Sequence, residues 1–338
     1  MRAAYFPLET FVYGISYAWL KYLIRSPEPL DAAYAWHAVT QDSPPVLEWF
    51  RLAWPLKPVR PWVIAAKMRQ DHARGIHEHY DVSNEFYELF LDKRYMFYTC
   101  ADFHSPDETI EEAQQHKADF ILNLIDPQPG QKILELGCGW GAMLKRIEEA
   151  TGDKENLHGL TLSEEQVAYN NQHNHFQVQY DDFITREYPR EEFDCIYSIG
   201  AWEHVRTREI PQLLKKLYGA LKPGGRLVQH FFCRVNDDMF APAACSQIYF
   251  PGSMGSSYRF HAKAWEDAGF RITHRSVHDY RPTLRAWFDN LVANRERALE
   301  IVDVPTYNRY LTFFPVSWRY FNDNMGMVTR WVLEKPAS

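Results

Sequence analysis

From about residue 76 onward, short apolar runs alternate with stretches of helical spacing. Gln131–Gly137 (QKILELG) predicts a strand entering a glycine turn, with helical spacing through Ala150 behind it. Leu157–Leu162 predicts the next strand, and Ser163 and Gln166 are spaced as a capping box for the following helix. Phe176–Tyr180, Phe193–Ile199 and Arg226–Phe232 continue the series, the last entered through a Pro223-Gly224-Gly225 turn. The alternation then pauses for roughly 36 residues, resumes at Phe270 with FRITHRSVH, and closes on a strand predicted at Arg330–Glu334. Strands separated by helices predict a parallel sheet with right-handed crossovers. The pause, at about residues 234–269, has the size of an insertion that covers a site.

Residues 1–75 read differently, as short helices broken by Ser26-Pro27-Glu28-Pro29 and by Pro55, Pro58 and Pro61. Within 49–74, six basic side chains face Asp71 alone, and Trp49, Trp54 and Trp62 are interleaved with them. Such a run suits peripheral contact with an anionic membrane surface; it equally suits a solvated helical face. The chain of 338 residues carries a net charge of −7, which argues against a general nucleic-acid partner. Its five cysteines form no CxxC pair, which fits a reduced protein rather than a disulfide scaffold. Without a long apolar run or a signal-peptide pattern, a cytoplasmic location is expected, with peripheral attachment to the inner face of the membrane as an option. His72, His77 and His79 lack the accompanying acidic or cysteine ligands of a zinc site, so no metal is expected.

Glu135-Leu136-Gly137-Cys138-Gly139-Trp140-Gly141 falls where a strand hands over to a helix. Glycines there let a ligand approach the backbone, and a helix N-terminus offers unpaired N–H donors. Nicotinamide and flavin enzymes use related turns, so the turn alone does not choose a cofactor. The G-x-G-x-G spacing with an acidic residue upstream is similar to the first motif of S-adenosylmethionine-dependent methyltransferases. The order that follows, a second strand, then FDCIYSIGAWEHV, then LKPGGRL, agrees with it. Many such enzymes end the second strand on a carboxylate for the ribose hydroxyls; here it ends Gly159-Leu160-Thr161-Leu162-Ser163.

Three further segments narrow the resemblance. HYDVSNEFY at 79–87 with YTCADF at 98–103, GLTLSEEQ at 159–166 and SIGAWEHV at 198–205 resemble the cyclopropane-fatty-acyl-phospholipid synthases, a family that includes the mycolic acid cyclopropane synthases. The resemblance covers roughly residues 76–338. It implies an α/β fold with a Rossmann-like seven-stranded methyltransferase sheet and flanking helices, to which the patterning above adds an N-terminal helical extension over 1–75 and a lid insertion at about 234–269. It implies S-adenosyl-L-methionine as cofactor, contacted by Tyr98, Thr99, Glu135, Gly137, Cys138, Gly139, Gly141, Thr161, Leu162, Ser163, Gln166, Tyr180 and Asp181. It also implies a bicarbonate ion held by Cys100, Glu203, His230, the backbone at Phe232, and Tyr280. Over the acyl site many members carry an FPGGxLPS-type segment, where this chain reads Phe250-Pro251-Gly252-Ser253-Met254-Gly255-Ser256-Ser257.

The implied reaction is methyl transfer to the double bond of an unsaturated acyl chain, giving a cyclopropane or a methyl branch. A sulfonium methyl is electrophilic, so the alkene attacks it without a protein nucleophile. The protein must align the partners, exclude water and tolerate a carbocation, which aromatic faces stabilise by on the order of 0.5–2 kcal/mol each. A base then removes a proton. His230 and Tyr280 can donate to bicarbonate, Cys100 weakly so, and Glu203 is expected to accept its hydroxyl proton or to orient His230. Glu203 and His204 also have a plain alternative as caps of the next helix. A different enzymatic reading is N-methylation of a small amine, which needs no bicarbonate. A non-enzymatic lipid- or cofactor-binding scaffold ranks last. An oligomer is compatible with the sequence.

Overall fold

Ile133–Leu136 (β1) is buried at every residue, as a strand covered on both faces must be, and therefore reads as an unbroken ILEL run. The other strands are β2 (Leu157–Thr161), β3 (Gln177–Tyr180), β4 (Phe193–Ile199), β5 (Leu221–Arg234), β6 (Arg271–His278) and β7 (Gly326–Glu334). They form one seven-stranded sheet in the order β3-β2-β1-β4-β5-β7-β6. β1 pairs in parallel with both β2 and β4, β2 with β3, and β4 with β5, whereas β6 and β7 run antiparallel. The parallel sheet expected from alternation thus ends in an antiparallel edge. The chain winds outward from β1 to β3, then crosses to β4 on the other side. That reversal opens a crevice at the carboxyl ends of β1 and β4, where open α/β sheets bind ligands.

The computed structural model describes residues 18–40, 83–235, 248–249 and 255–337. The expected boundary near residue 75, the basic run at 49–74 and His72, His77 and His79 lie outside the described residues. Ten helices are used below. They are α1 (Ala32–Thr40), α2 (Asn84–Tyr87), α3 (Ile110–Ile125), α4 (Ala142–Thr151), α5 (Glu164–His173), α6 (Ile210–Ala220), α7 (Tyr258–Asp267), α8 (Arg281–Ala293), α9 (Arg295–Ile301) and α10 (Val304–Asn322).

The described residues divide into two units. The sheet unit comprises 92–235, 255–279 and 327–337, and each face of its sheet has its own core. On one face Leu213, Leu214 and Leu217 of α6 and Trp265 of α7 cluster with Leu134, Ile196, Leu227 and Trp331. On the other, Ile121 and Ile125 of α3 and Leu144 and Ile147 of α4 cluster with Ile133, Tyr197 and Val228. The helical unit comprises 18–40, 83–91, 248–249 and 280–326. Its interior is aromatic: Trp36 lies 4.8 Å from Phe288, Phe90 lies 5.4 Å from Phe314, and the Tyr87 and Tyr310 hydroxyls share a 2.8 Å hydrogen bond.

Three local expectations change. β5 begins at Leu221, so the Pro-Gly-Gly turn sits inside the strand as an irregularity, where pairing jumps from Phe193↔Leu221 to Cys195↔Arg226. Only half of the capping box forms: Ser163 Oγ accepts from Gln166 N–H at 3.3 Å, but the Ser163 N–H is satisfied by Thr161 Oγ1 at 3.2 Å. Finally, residues 258–267 of the stretch expected to cover the acyl site form α7, because Ala264 and Trp265 are drawn into the core.

Candidate active site

The glycine-rich segment is the turn between β1 and α4. Gly137, Gly139 and Gly141 all have positive φ, which winds the backbone tightly enough to aim the α4 N-terminus back over the sheet end. The N-cap Gly141 supplies no side-chain bond, so the first N–H groups of α4 are left for a ligand. At Gly139 an added Cβ would meet nothing closer than Gln166 Nε2 at 4.0 Å, so the missing side chain leaves a cradle above the turn. Cys138 is buried beneath it, its N–H donating to Leu160 O at 2.9 Å, so it contributes backbone rather than thiol chemistry. Glu135 is also buried under the turn and accepts from the Tyr197 hydroxyl at 2.8 Å. Burial raises its carboxyl to about 8 against the lowering effect of that bond.

The remaining cofactor candidates sit at the neighbouring strand ends. The Thr161 hydroxyl donates to Gln166 Oε1 at 2.6 Å, fixing that side chain beside the Gly139 cradle, with Leu162 and Ser163 half-buried between them. Tyr180 pairs with Thr161 across β2 and β3 and is 57% exposed. The Asp181 carboxylate is engaged by Arg186. Tyr98 and Thr99 lie on the half-buried segment before Cys100, and two buried polar side chains of α3 hold that segment. Gln114 Nε2 donates to the Phe97 and Thr99 carbonyls at 3.3 and 3.0 Å, and Lys117 Nζ donates to Thr99 Oγ1 at 2.8 Å. The Cβ of a residue at 200 would collide with Thr99 Cγ2, so Gly200 lets this segment close on the end of β4.

Four of the five expected anion ligands lie in the sheet unit, and two of them, Glu203 and the His230 backbone, meet at Gly200. The Gly200 N–H donates to His230 O at 2.8 Å, and the Glu203 Oε1 lies 3.9 Å from the position a Gly200 Cβ would take. Glu203 stands on a single 3-10 turn, Trp202–His204, directly after β4; the cap of α6 is Glu209, so neither Glu203 nor His204 caps that helix. The Glu203 carboxyl is buried, and burial raises it to about 8. Its Oε2 has no hydrogen-bond partner among the described residues. Cys100 is buried, its thiol pushed up to about 12 by burial, and it points at the Ala101 and Asp279 carbonyls at 3.4 and 3.5 Å. Phe232 follows on β5, two residues beyond His230. Tyr280 belongs to the helical unit, at the N-cap of α8, with its ring 5.8 Å from Trp287 and 5.1 Å from Phe321.

His230 is held otherwise than the sequence suggests. Its Nδ1 accepts from Arg330 Nε at 2.9 Å, so Arg330, not Glu203, orients the ring. Burial and the nearby Arg330, Lys117 and His278 hold the imidazole well below its usual titration range. Arg330 also donates to both oxygens of Asp102, at 2.5 and 2.9 Å, and His278 Nδ1 lies 2.9 Å from the same carboxylate. Burial opposes ionisation of Asp102, but the bonds from His278 and Arg330 outweigh it and hold the group at about 2. The one available signal was a charged residue inside the apolar run MVTRWVLE, since an arginine inside a strand must be paired. Elsewhere, His104, Glu108 and His116 bring ligand atoms within 4.8 Å of one another. Glu108 there accepts from the His104 N–H at 2.7 Å, and His116 Nδ1 faces Asp102 O at 3.3 Å, so local backbone bonds account for the cluster.

The family model for mycolic acid cyclopropane synthetase matches residues 67–331. Cyclopropane mycolic acid synthase 3 of Mycobacterium tuberculosis is 31% identical over 291 residues, covering 78% of this chain and 98% of that protein. Among solved structures, the cyclopropane synthase MmaA2 from Mycobacterium tuberculosis superposes with a TM-score of 0.72 at 27% identity, covering 79% of this chain and 99% of that one. The mycolic acid cyclopropane synthase CmaA1 in complex with SAH and CTAB gives 0.71 at 26% identity, covering 79% and 99%.

Proposed function

Because this chain belongs to the mycolic acid cyclopropane synthetase family and is an S-adenosylmethionine-dependent methyltransferase, we propose that it methylates the double bond of an unsaturated fatty acyl chain, with bicarbonate as the base. The product is a cyclopropane or a methyl branch, and a phospholipid is the favoured acyl carrier. When bound, S-adenosylmethionine supplies an electrophilic methyl group. The Gly137–Gly141 backbone, the α4 N-terminus and the Thr161–Gln166 pair are the groups that would hold it, and the Gly139 cradle fits a ligand lying on the turn.

The observation that carries the reading is the Glu203 carboxyl: buried, holding its proton to about pH 8, with an oxygen that has no partner among the described residues. A protonated carboxyl beside an anion adds a donor without charge repulsion, so Glu203 would donate rather than accept as first expected. His230, neutral with Nδ1 occupied, presents its remaining nitrogen as a second donor. The Cys100 thiol is a weak donor already turned to carbonyls, and the assignment of Tyr280 rests on the sequence resemblance. Bicarbonate at that place would supply the base for the proton a methylated chain must lose. The basic, tryptophan-rich run at 49–74 supports presentation of the lipid at an anionic membrane surface.

The test incubates the purified enzyme with methyl-labelled cofactor and mono-unsaturated phospholipid vesicles, in CO2-depleted buffer and with bicarbonate restored. Label in the acyl chains that rises at least tenfold on restoring bicarbonate is expected. No label in any acyl chain overturns the substrate and favours an amine acceptor; acyl label that ignores bicarbonate overturns the base.

A further inference from the structure

We propose that Arg330, anchored by Asp102, is a positioning residue that locks His230 as the neutral imidazole carrying its proton on Nε2. This deepens the reading above, in which His230 is a donor to the anion, but it stands on geometry that does not involve the anion. A guanidinium has five N–H donors, no acceptor, and keeps its charge at any working pH. Its Nε–H points at His230 Nδ1 at 2.9 Å, so that nitrogen must be the lone-pair nitrogen and the ring proton must sit on Nε2. An imidazolium there would place two cations against each other in a buried site.

The lock is itself held. Arg330 is completely buried on β7, with its two remaining nitrogens bidentate on Asp102 and its guanidinium carbon 4.9 Å above the Phe120 ring. Three contacts therefore fix the plane of the guanidinium, and a fixed plane fixes the direction of Nε–H. His278 on β6 closes the other side of the Asp102 carboxylate at 2.9 Å, and His278 Nε2 in turn lies 2.8 Å from Ser276 Oγ. The charged or titratable groups that influence His230 are Arg330 from β7, Lys117 from α3 and His278 from β6; all three disfavour its protonation. His230 would thus be a donor of one fixed orientation, unable to take up the proton of the reaction. That job would be left to the anion.

Nitrogen NMR of ring-labelled histidine in the full-length, ligand-free protein tests this, with His230 assigned by its loss in His230→Gln. The expected wild-type spectrum shows the Nε2–H tautomer, unchanged from pH 5.5 to 8.5. An Nδ1–H tautomer, or a normal titration in that range, overturns the proposal whatever the activity shows. Arg330→Met alone strands the Asp102 carboxylate, so the companion is Arg330→Met with Asp102→Asn. In it His230 is expected to populate both tautomers and to titrate, with kcat down at least tenfold and cofactor affinity within twofold. A double variant that folds and keeps a single Nε2–H tautomer refutes the lock. A wild-type spectrum as expected together with bicarbonate-independent turnover supports the lock while removing the anion from the reading above.

Discussion

Glu203 and Glu135 are both carboxyls that burial raises to about 8 from an ordinary 4.5, and the consequence is measurable without substrate. Between those two values the folded protein retains protons that the unfolded chain has released, so folding stability falls as pH rises through that window. Glu203→Gln and Glu135→Gln should each flatten the fall in Tm between about pH 5 and pH 8, and the double variant more than either. An unaltered slope would mean the carboxyls are ionised in the fold. In turnover, Glu203→Met should lower kcat by about 10²-fold, the typical order for losing one preorganised donor, with cofactor Kd unchanged, whereas Glu203→Gln, which keeps an N–H donor, should lose less. Gly139→Val separates the other function. Its side chain would enter the open cradle and strain the backbone at the φ of +55° that Gly139 adopts, so cofactor Kd should rise more than tenfold by calorimetry while far-UV circular dichroism stays native. The glycine spacing was legible in the sequence because the turn is local. The donor role of Glu203 was not, because protonation follows from the burial that tertiary packing imposes.

Each element shows why part of its sequence read clearly. On α3 the buried stripe Ile110, Ala113, Gln114, Lys117, Ala118, Ile121, Ile125 follows helical spacing, and two polar members interrupt it. Those two, Gln114 and Lys117, are the ones that hold the Thr99 segment. Replacing Lys117 by Met keeps the length but loses both the Thr99 bond and the amine contact over the Phe97 ring. It should therefore leave far-UV circular dichroism native and weaken cofactor binding several-fold in equilibrium titration. The N-terminus of α3 is a full capping box, with Thr109 accepting from Glu112 N–H and Glu112 accepting from Thr109 N–H. Thr109→Ala should cost about 1 kcal/mol in urea unfolding, with kcat retained. β4 matched its expected limits, Phe193–Ile199, because an apolar run between polar turns specifies its own ends. β5 did not, since the Pro223-Gly224-Gly225 stretch that reads as a stop is carried within the strand by an irregular register.

For the whole molecule, sheet order decides what can be separated. β7 and β6 come last along the chain, yet β7 lies between β5 and β6. A fragment of residues 92–235 would end with β5 as an unpaired edge carrying Leu227, Phe231 and Cys233, all buried in the full chain. It should be recovered mainly as aggregate, whereas the full chain is not; a soluble, two-state fragment would show that the last two strands are dispensable. The chain by itself determined the alternating elements, the glycine turn under a sulfonium cofactor and the motifs that mark the family. These are statements about neighbours, and spacing of a few residues carries them. Only the tertiary structure decided which partners the buried charges took. Arg330 reaches Asp102 across 228 positions and His230 across 100, and no local pattern encodes a bond between residues that distant. Burial then made those bonds obligatory, because a charge removed from water must be paired where the fold has placed it.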